Sequence, residues 1–229
     1  MAINITRKFA GICAVAAVSA AVGGLAQAAV DTLPSGAPVA PLYGKRFHKL
    51  TDADMTPEQK TMAHNVLTGP RGSLNGPFSA YIRSPELGDA LQKVGEMVRF
   101  RSSFPVGLRE LAVCQVARQW NSAYEWAAHS EQAVAGGISK ETVDAIGQNR
   151  RPPHLKPEEA AIYDFTRDLL EKHAVSDAHF KEVQSRWGDK GVMDLTGAIG
   201  YFVVVAMALN VDVYPAPPGA NPLPRLAMH

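Results

Sequence analysis

Two ionisable side chains four residues apart, Glu125 and His129, are the first place in this sequence where chemistry could be done. On an α-helix that spacing puts them on one face, about one turn from each other. A carboxylate beside an imidazole is the smallest kit for moving a proton. The carboxylate fixes the tautomer and raises the basicity of the ring, and the ring cycles near neutral pH. Glu110 and Cys114 stand in the same relation a few turns earlier. Tyr124, Trp126, Ala127, Ala128 and Ala133 surround the Glu125–His129 pair, so this segment is too apolar to lie wholly in water. Ionisable groups in such surroundings need a reason to be there. Proton transfer is one, and an ion pair tying two helices is the other.

Other chemistries have less to work with. The metalloprotease pattern His-Glu-x-x-His is absent. Glu125 and His129 would supply two ligands where a catalytic zinc takes three from the protein. His64, His154, His173 and His179 lie elsewhere, the last two without paired spacing. Neither a phosphate-binding loop nor a dinucleotide fingerprint occurs, so no metal and no cofactor are expected. Charge gives no footing for nucleic acid, which wants a clustered basic face. The chain has 23 basic and 22 acidic residues, for a net charge of +1.

The elements that must carry these groups read as helices. Residues 1–28 form a leader of the secretory type: Arg7 and Lys8, then an apolar Ala/Val-rich run, then Ala26-Gln27-Ala28 as a cleavage site. Its loss leaves 21 basic and 22 acidic residues, net −1, and a single cysteine, Cys114. The protein is then expected in the periplasm or outside the cell, without an internal disulfide or a membrane span. Residues 29–50, with Pro34, Gly36, Pro38 and Pro41, read as an extended arm, and residues 51–214 as one helical domain. Thr56-Pro57-Glu58-Gln59 is a capping box with proline at the first helical position. Ser84-Pro85-Glu86 opens a second helix, striped by Leu87, Leu91, Val94 and Val98. The next run extends from Pro105 to about Ala135, with a break near Asn121-Ser122 and a stop at Gly136-Gly137. Ser139, Pro157 and Asp177 open further helices, and the apolar run Val192–Leu209 reads as a buried last one. Residues 215–229 form a proline-rich tail. No run has strand periodicity of useful length, so the class is all-α.

The string Arg109-Glu110, then Tyr124-Glu125-Trp126-x-x-His129, then Ala133-x-x-Gly136 resembles the core helix pair of carboxymuconolactone decarboxylases and alkylhydroperoxidase D-like proteins. Gly76-Pro77-Phe78, Ser84-Pro85-Glu86-Leu87 and Leu195-x-x-x-Ile199-Gly200-Tyr201-Phe202 agree with it, so the resemblance runs from about Thr51 to Pro218. The redox branch of that superfamily has Cys-x-x-Cys-x-x-x-His with a glutamate twelve residues before the first cysteine. This chain keeps the spacing from Glu110 to His129, but Ser122 and Glu125 occupy the cysteine positions. Without an attacking and a resolving thiol that cycle cannot run. Glu125 instead matches the decarboxylase-like branch. The resemblance thus implies cofactor-free acid/base chemistry, by a decarboxylase or isomerase, on a small carboxylated compound, aromatic-derived ones included. His129 would be the general acid/base and Glu125 its orienting group. Glu110 would be a second proton carrier or the partner of an arginine. Arg99, Arg101 and Arg109 are the candidates for a substrate carboxylate, with Tyr124, Trp126 and Ser122 lining the site. The resemblance also implies a homo-oligomer, a trimer or hexamer. A redox protein using Cys114 with a partner thiol, and a non-catalytic binding or assembly module, remain the alternatives.

Overall fold

A computed structural model describes residues 44–224 of the protein. The leader, most of the N-terminal arm and the end of the tail lie outside these residues. At Thr56 the capping box forms in both directions. The Thr56 hydroxyl accepts from the Gln59 backbone N–H, and Gln59 Oε1 accepts from the Thr56 N–H at 3.0 Å. This cap starts α1 (Pro57–Thr68). A loop containing Arg71 follows, then one turn, α2 (Phe78–Tyr81), then α3 (Pro85–Phe100). The loop reading at Pro77 misses α2, since four residues are too few to show a period.

The single run read from Pro105 to Ala135 is two helices, α4 (Val106–Gln119) and α5 (Ala123–Ala135). Asn121 ends α4 in the left-handed region at φ 49°, and the Ser122 N–H returns to the Ala117 carbonyl at 2.9 Å. Asparagine tolerates that conformation better than most residues, which explains the break. The chain then folds back antiparallel. The open end of the pair closes at Gly107 and Gly136, where a Cβ on Gly107 would lie 2.3 Å from the Gly136 carbonyl oxygen. Only glycine permits that approach, and it sets the register of α5 on α4.

Helices α6 (Lys140–Gly147), α7 (Pro157–Lys172) and α8 (Asp177–Asp212) complete the domain. The last two runs read from the sequence merge into α8, bent at Gly188, whose φ of 66° is non-helical. Among the described residues α8 is the one helix long and apolar enough to cross a membrane. Half of its most apolar window is buried in the protein, with Leu195, Ile199, Phe202, Val205 and Leu209 in the core. Helix α4 is the hub, packed by α5, α6, α7 and α8 and buried from Gly107 to Arg118. A helix enclosed on all sides should be apolar all round. This one carries Arg109, Glu110, Gln115 and Arg118, and each must find partners inside the protein. Arg118 reaches the carbonyls of Gly147 at 3.0 Å and Pro224 at 2.5 Å, which ties the tail to the α4–α6 corner. At the other end of the chain, buried Asp212 accepts from the N–H groups of Gly44 and Phe47 and from the Ser79 hydroxyl.

Candidate active site

Folding α5 back on α4 places His129 beside Glu110 across nineteen residues of sequence. His129 Nδ1 lies 2.5 Å from Glu110 Oε2, and Glu110 has no exposed surface. The other carboxylate oxygen, Oε1, accepts from Arg109 Nε at 3.1 Å and a terminal nitrogen at 2.8 Å. Burial pushes the Glu110 carboxyl up, but the bond from His129 and the Arg109 guanidinium outweigh it and hold its pKa below the ordinary value. Glu110 is therefore ionised and can only accept hydrogen bonds. It follows that His129 carries a proton on Nδ1, which leaves Nε2 as the nitrogen that can exchange a proton with the cavity. The Phe202 ring packs edge-on to the imidazole at 4.8 Å and limits its rotation.

Spacing assigns the orienting role to Glu125; the structure gives it to Glu110. Glu125 is 1% exposed, and neither of its oxygens has a hydrogen-bond partner among the described residues. Desolvation pushes its pKa well above the ordinary carboxyl value, and the nearby Ser122 side chain offsets this only partly. Two carboxyls on neighbouring helices thus sit in opposite states. The partners of Glu110 hold it toward its charged form, and burial pushes Glu125 toward its neutral form. Such a divergence of environments is how a site assigns base and acid roles at one pH.

Glu125 and His129 line a cavity of about 240 Å³ between α5, α8, the end of α3 and the loop after α1. That is room for several waters or one small organic acid. Its other polar walls include Arg71, Arg99, Tyr124, Gln132 and Tyr201. Arg71 donates to the Tyr201 hydroxyl at 3.0 Å and lies over the Phe78 ring at 5.4 Å. Arg99 is partly buried, and burial and neighbouring Arg71 both lower its pKa. Two cations converge on the cavity, while Glu110, behind His129, is taken by Arg109 and His129. An anionic guest is what this field favours.

Of the other residues read from the sequence, Tyr124 is at the cavity wall, its ring edge-on to Tyr214 at 5.0 Å. Gly76, at φ 75°, makes room for it, since a Cβ there would lie 2.8 Å from the Tyr124 ring. Arg109 is not free for a substrate: besides Glu110 it holds the Arg99 carbonyl at 2.7 Å. Arg101 is exposed and paired with Glu96 at 2.8 Å, away from the cavity. Trp126 is buried against Gly147 rather than in the cavity wall. Ser122 sits at the start of α5 with its hydroxyl buried and without a hydrogen-bond partner. Cys114 is fully buried, and desolvation together with Glu110 and Glu125 pushes its thiol pKa up. A thiol held protonated is a poor nucleophile. Sequence reasoning missed Arg71 as a charge in the site and Tyr201 as a polar wall. Both stand among features that signal other things, a Gly/Pro-rich loop and an apolar helix.

Residues 85–168, from α3 to within α7, match the sequence model of the Carboxymuconolactone decarboxylase family. A comparison with curated protein sequences gave no match. The matched segment contains Arg99, Glu110, Glu125 and His129 but neither Arg71 nor Tyr201.

Proposed function

We propose that this chain, whose residues 85–168 match the sequence model of the Carboxymuconolactone decarboxylase family, is a cofactor-free lyase or isomerase of small carboxylated, unsaturated compounds. The observation that carries this reading is the Glu110–His129 pair opening onto a cavity with a buried Glu125, whose pKa desolvation raises, and two arginines. Arg99 and Arg71 hold a substrate carboxylate. In the decarboxylating form the bond from carbon to a carboxylate breaks, and its electron pair moves through the conjugated system onto a carbonyl oxygen. Carbon dioxide leaves, Glu125 gives its proton to the distal carbon, and His129 Nε2 takes a proton from solvent and passes it on to restore Glu125. In the isomerising form His129 Nε2 takes a proton from carbon, Glu125 returns one at another carbon, and solvent then carries the proton from His129 back to Glu125, with no net uptake. A positioned general acid or base contributes about 10²–10⁴-fold to such a step.

The same reading places the mature protein in the periplasm, on the strength of its leader, and makes it a homo-oligomer. Met193, Gly197, Gly200, Met207 and Val211 lie exposed along one side of α8 at intervals of four, three, seven and four. An exposed apolar stripe with that repeat suits helix packing against a second copy. To test the reaction, purified protein is incubated with a panel of small unsaturated mono- and dicarboxylates and the products are analysed by mass spectrometry. Loss of carbon dioxide, or an isomer of altered retention, in wild type but not in His129→Ala supports the reading. Equal turnover by His129→Ala contradicts it.

A further inference from the structure

We infer that Tyr201, polarised by Arg71, is the hydrogen-bond donor that receives the oxyanion formed in the cavity. The inference rests on the acid/base reading above and adds to it the group that stabilises the negative charge. Loss of carbon dioxide, or removal of a proton from carbon, leaves an electron pair that must settle on a substrate oxygen. His129 and Glu125 move protons and do not neutralise that oxygen while the charge is on it.

Tyr201 is 4% exposed and lines the cavity from α8, next in sequence to the Phe202 ring that steadies His129. A guanidinium has donors only, so in the 3.0 Å contact the Tyr201 oxygen accepts from Arg71. Its own proton is therefore left to donate. Its neighbour is the Tyr81 hydroxyl, a neutral acceptor that a substrate oxyanion would outcompete. A phenol that accepts from a cation is a stronger donor, because the cation draws charge from its oxygen. Burial holds the phenol proton in place, with neighbouring Arg71 and Arg99 acting against that shift. The hydroxyl thus donates a hydrogen bond and keeps its proton.

Helix α3 is shaped to admit this arrangement. A Cβ on Gly95 would lie 2.1 Å from the Tyr201 oxygen and 2.2 Å from an Arg71 terminal nitrogen. Even the smallest side chain at position 95 would push the pair apart. Gly95 is in a helix interior, where glycine is less stable than alanine by about 1 kcal/mol, so the space has a cost that local structure does not repay.

The test uses Tyr201→Phe and Gly95→Ala in the full mature chain, with two readouts. The first needs no substrate: p-nitrophenol is titrated into each protein, and the bound fraction present as phenolate is read from its absorbance. Wild type is expected to favour the phenolate, lowering the apparent pKa of the bound probe by a unit or more. Both variants should lose most of that shift, Tyr201→Phe by removing the donor and Gly95→Ala by displacing it. The second readout is turnover on the substrate found by mass spectrometry. Tyr201→Phe should lower kcat about 10²–10³-fold, the usual cost of one oxyanion donor, with KM changed less than about threefold. Wild type without phenolate preference, or Tyr201→Phe with undiminished preference and kcat, overturns the inference. If His129→Ala is inactive while Tyr201→Phe is fully active, the acid/base reading stands and this inference alone fails. If His129→Ala is fully active, the acid/base reading has failed first.

Discussion

Replacing Glu125 by glutamine should make the protein more stable, by an amount that grows with pH. Glutamine keeps the size of the side chain and removes only its ionisable proton. The folded carboxyl has a pKa raised above its ordinary value of 4.5. Below 4.5 both the folded and the unfolded chain carry the proton, and the group costs nothing. As pH rises past 4.5 the unfolded chain ionises while the folded one keeps its proton. Folding must then take a proton up, and stability falls until pH reaches the folded pKa. The loss is about 1.4 kcal/mol per pH unit over that window. At about 2–4 °C per kcal/mol for a chain of this size, each unit separates the two melting temperatures by roughly 3–6 °C. Glutamine has no such dependence, so the difference between Glu125→Gln and wild type isolates this one group. Thermal melts of both proteins at half-unit steps from pH 4 to pH 8 would measure it. A pH-independent difference would refute the reasoning, because it would mean that Glu125 is ionised in the fold and paired in a way the structure does not show.

Three other outcomes follow from the geometry. Arg99→Ala should raise KM at least tenfold on a carboxylated substrate with a smaller change in kcat, while Arg101→Ala, an exposed side chain paired with Glu96, should change neither by more than twofold; steady-state kinetics compares them. Cys114→Ala should leave turnover within a few-fold and native Cys114 should resist alkylation, as measured by intact mass, since its thiol is buried and held protonated. Analytical ultracentrifugation at micromolar concentration should give a mass above that of the monomer, and Met207→Asp on the exposed stripe of α8 should shift it toward the monomer.

Much of the fold is legible from local signals. The caps at Thr56 and Ser139, the glycine stop at Gly136-Gly137 and the break at Asn121 all act within a few residues, and each marks an element in the structure. The site is only half legible for the same reason. Glu125 and His129 are found because they share a helix, yet the group that orients His129 comes from the neighbouring helix. Periodicity says which face a residue occupies, but not which residue of another helix it meets. Arg99, Arg101 and Arg109 read alike in sequence, and only packing separates the one in the cavity from the exposed one and the one bound to Glu110. Arg71 and Tyr201 meet across 130 residues, through a gap left by Gly95 on a third element. No spacing rule spans that distance.

The central claim is that Glu110 holds His129 as the proton-transferring base, and one measurement tests it most directly. Turnover on the identified substrate and melting temperature are determined on the same samples of wild type, His129→Ala, Glu110→Gln and the double variant. If the pair acts as a unit, each single change lowers kcat about 10²–10⁴-fold, and the double variant is little worse than the more damaged single one. Both effects must persist in samples that melt cooperatively. A folded His129→Ala with full turnover, or losses that multiply in the double variant, would contradict the account.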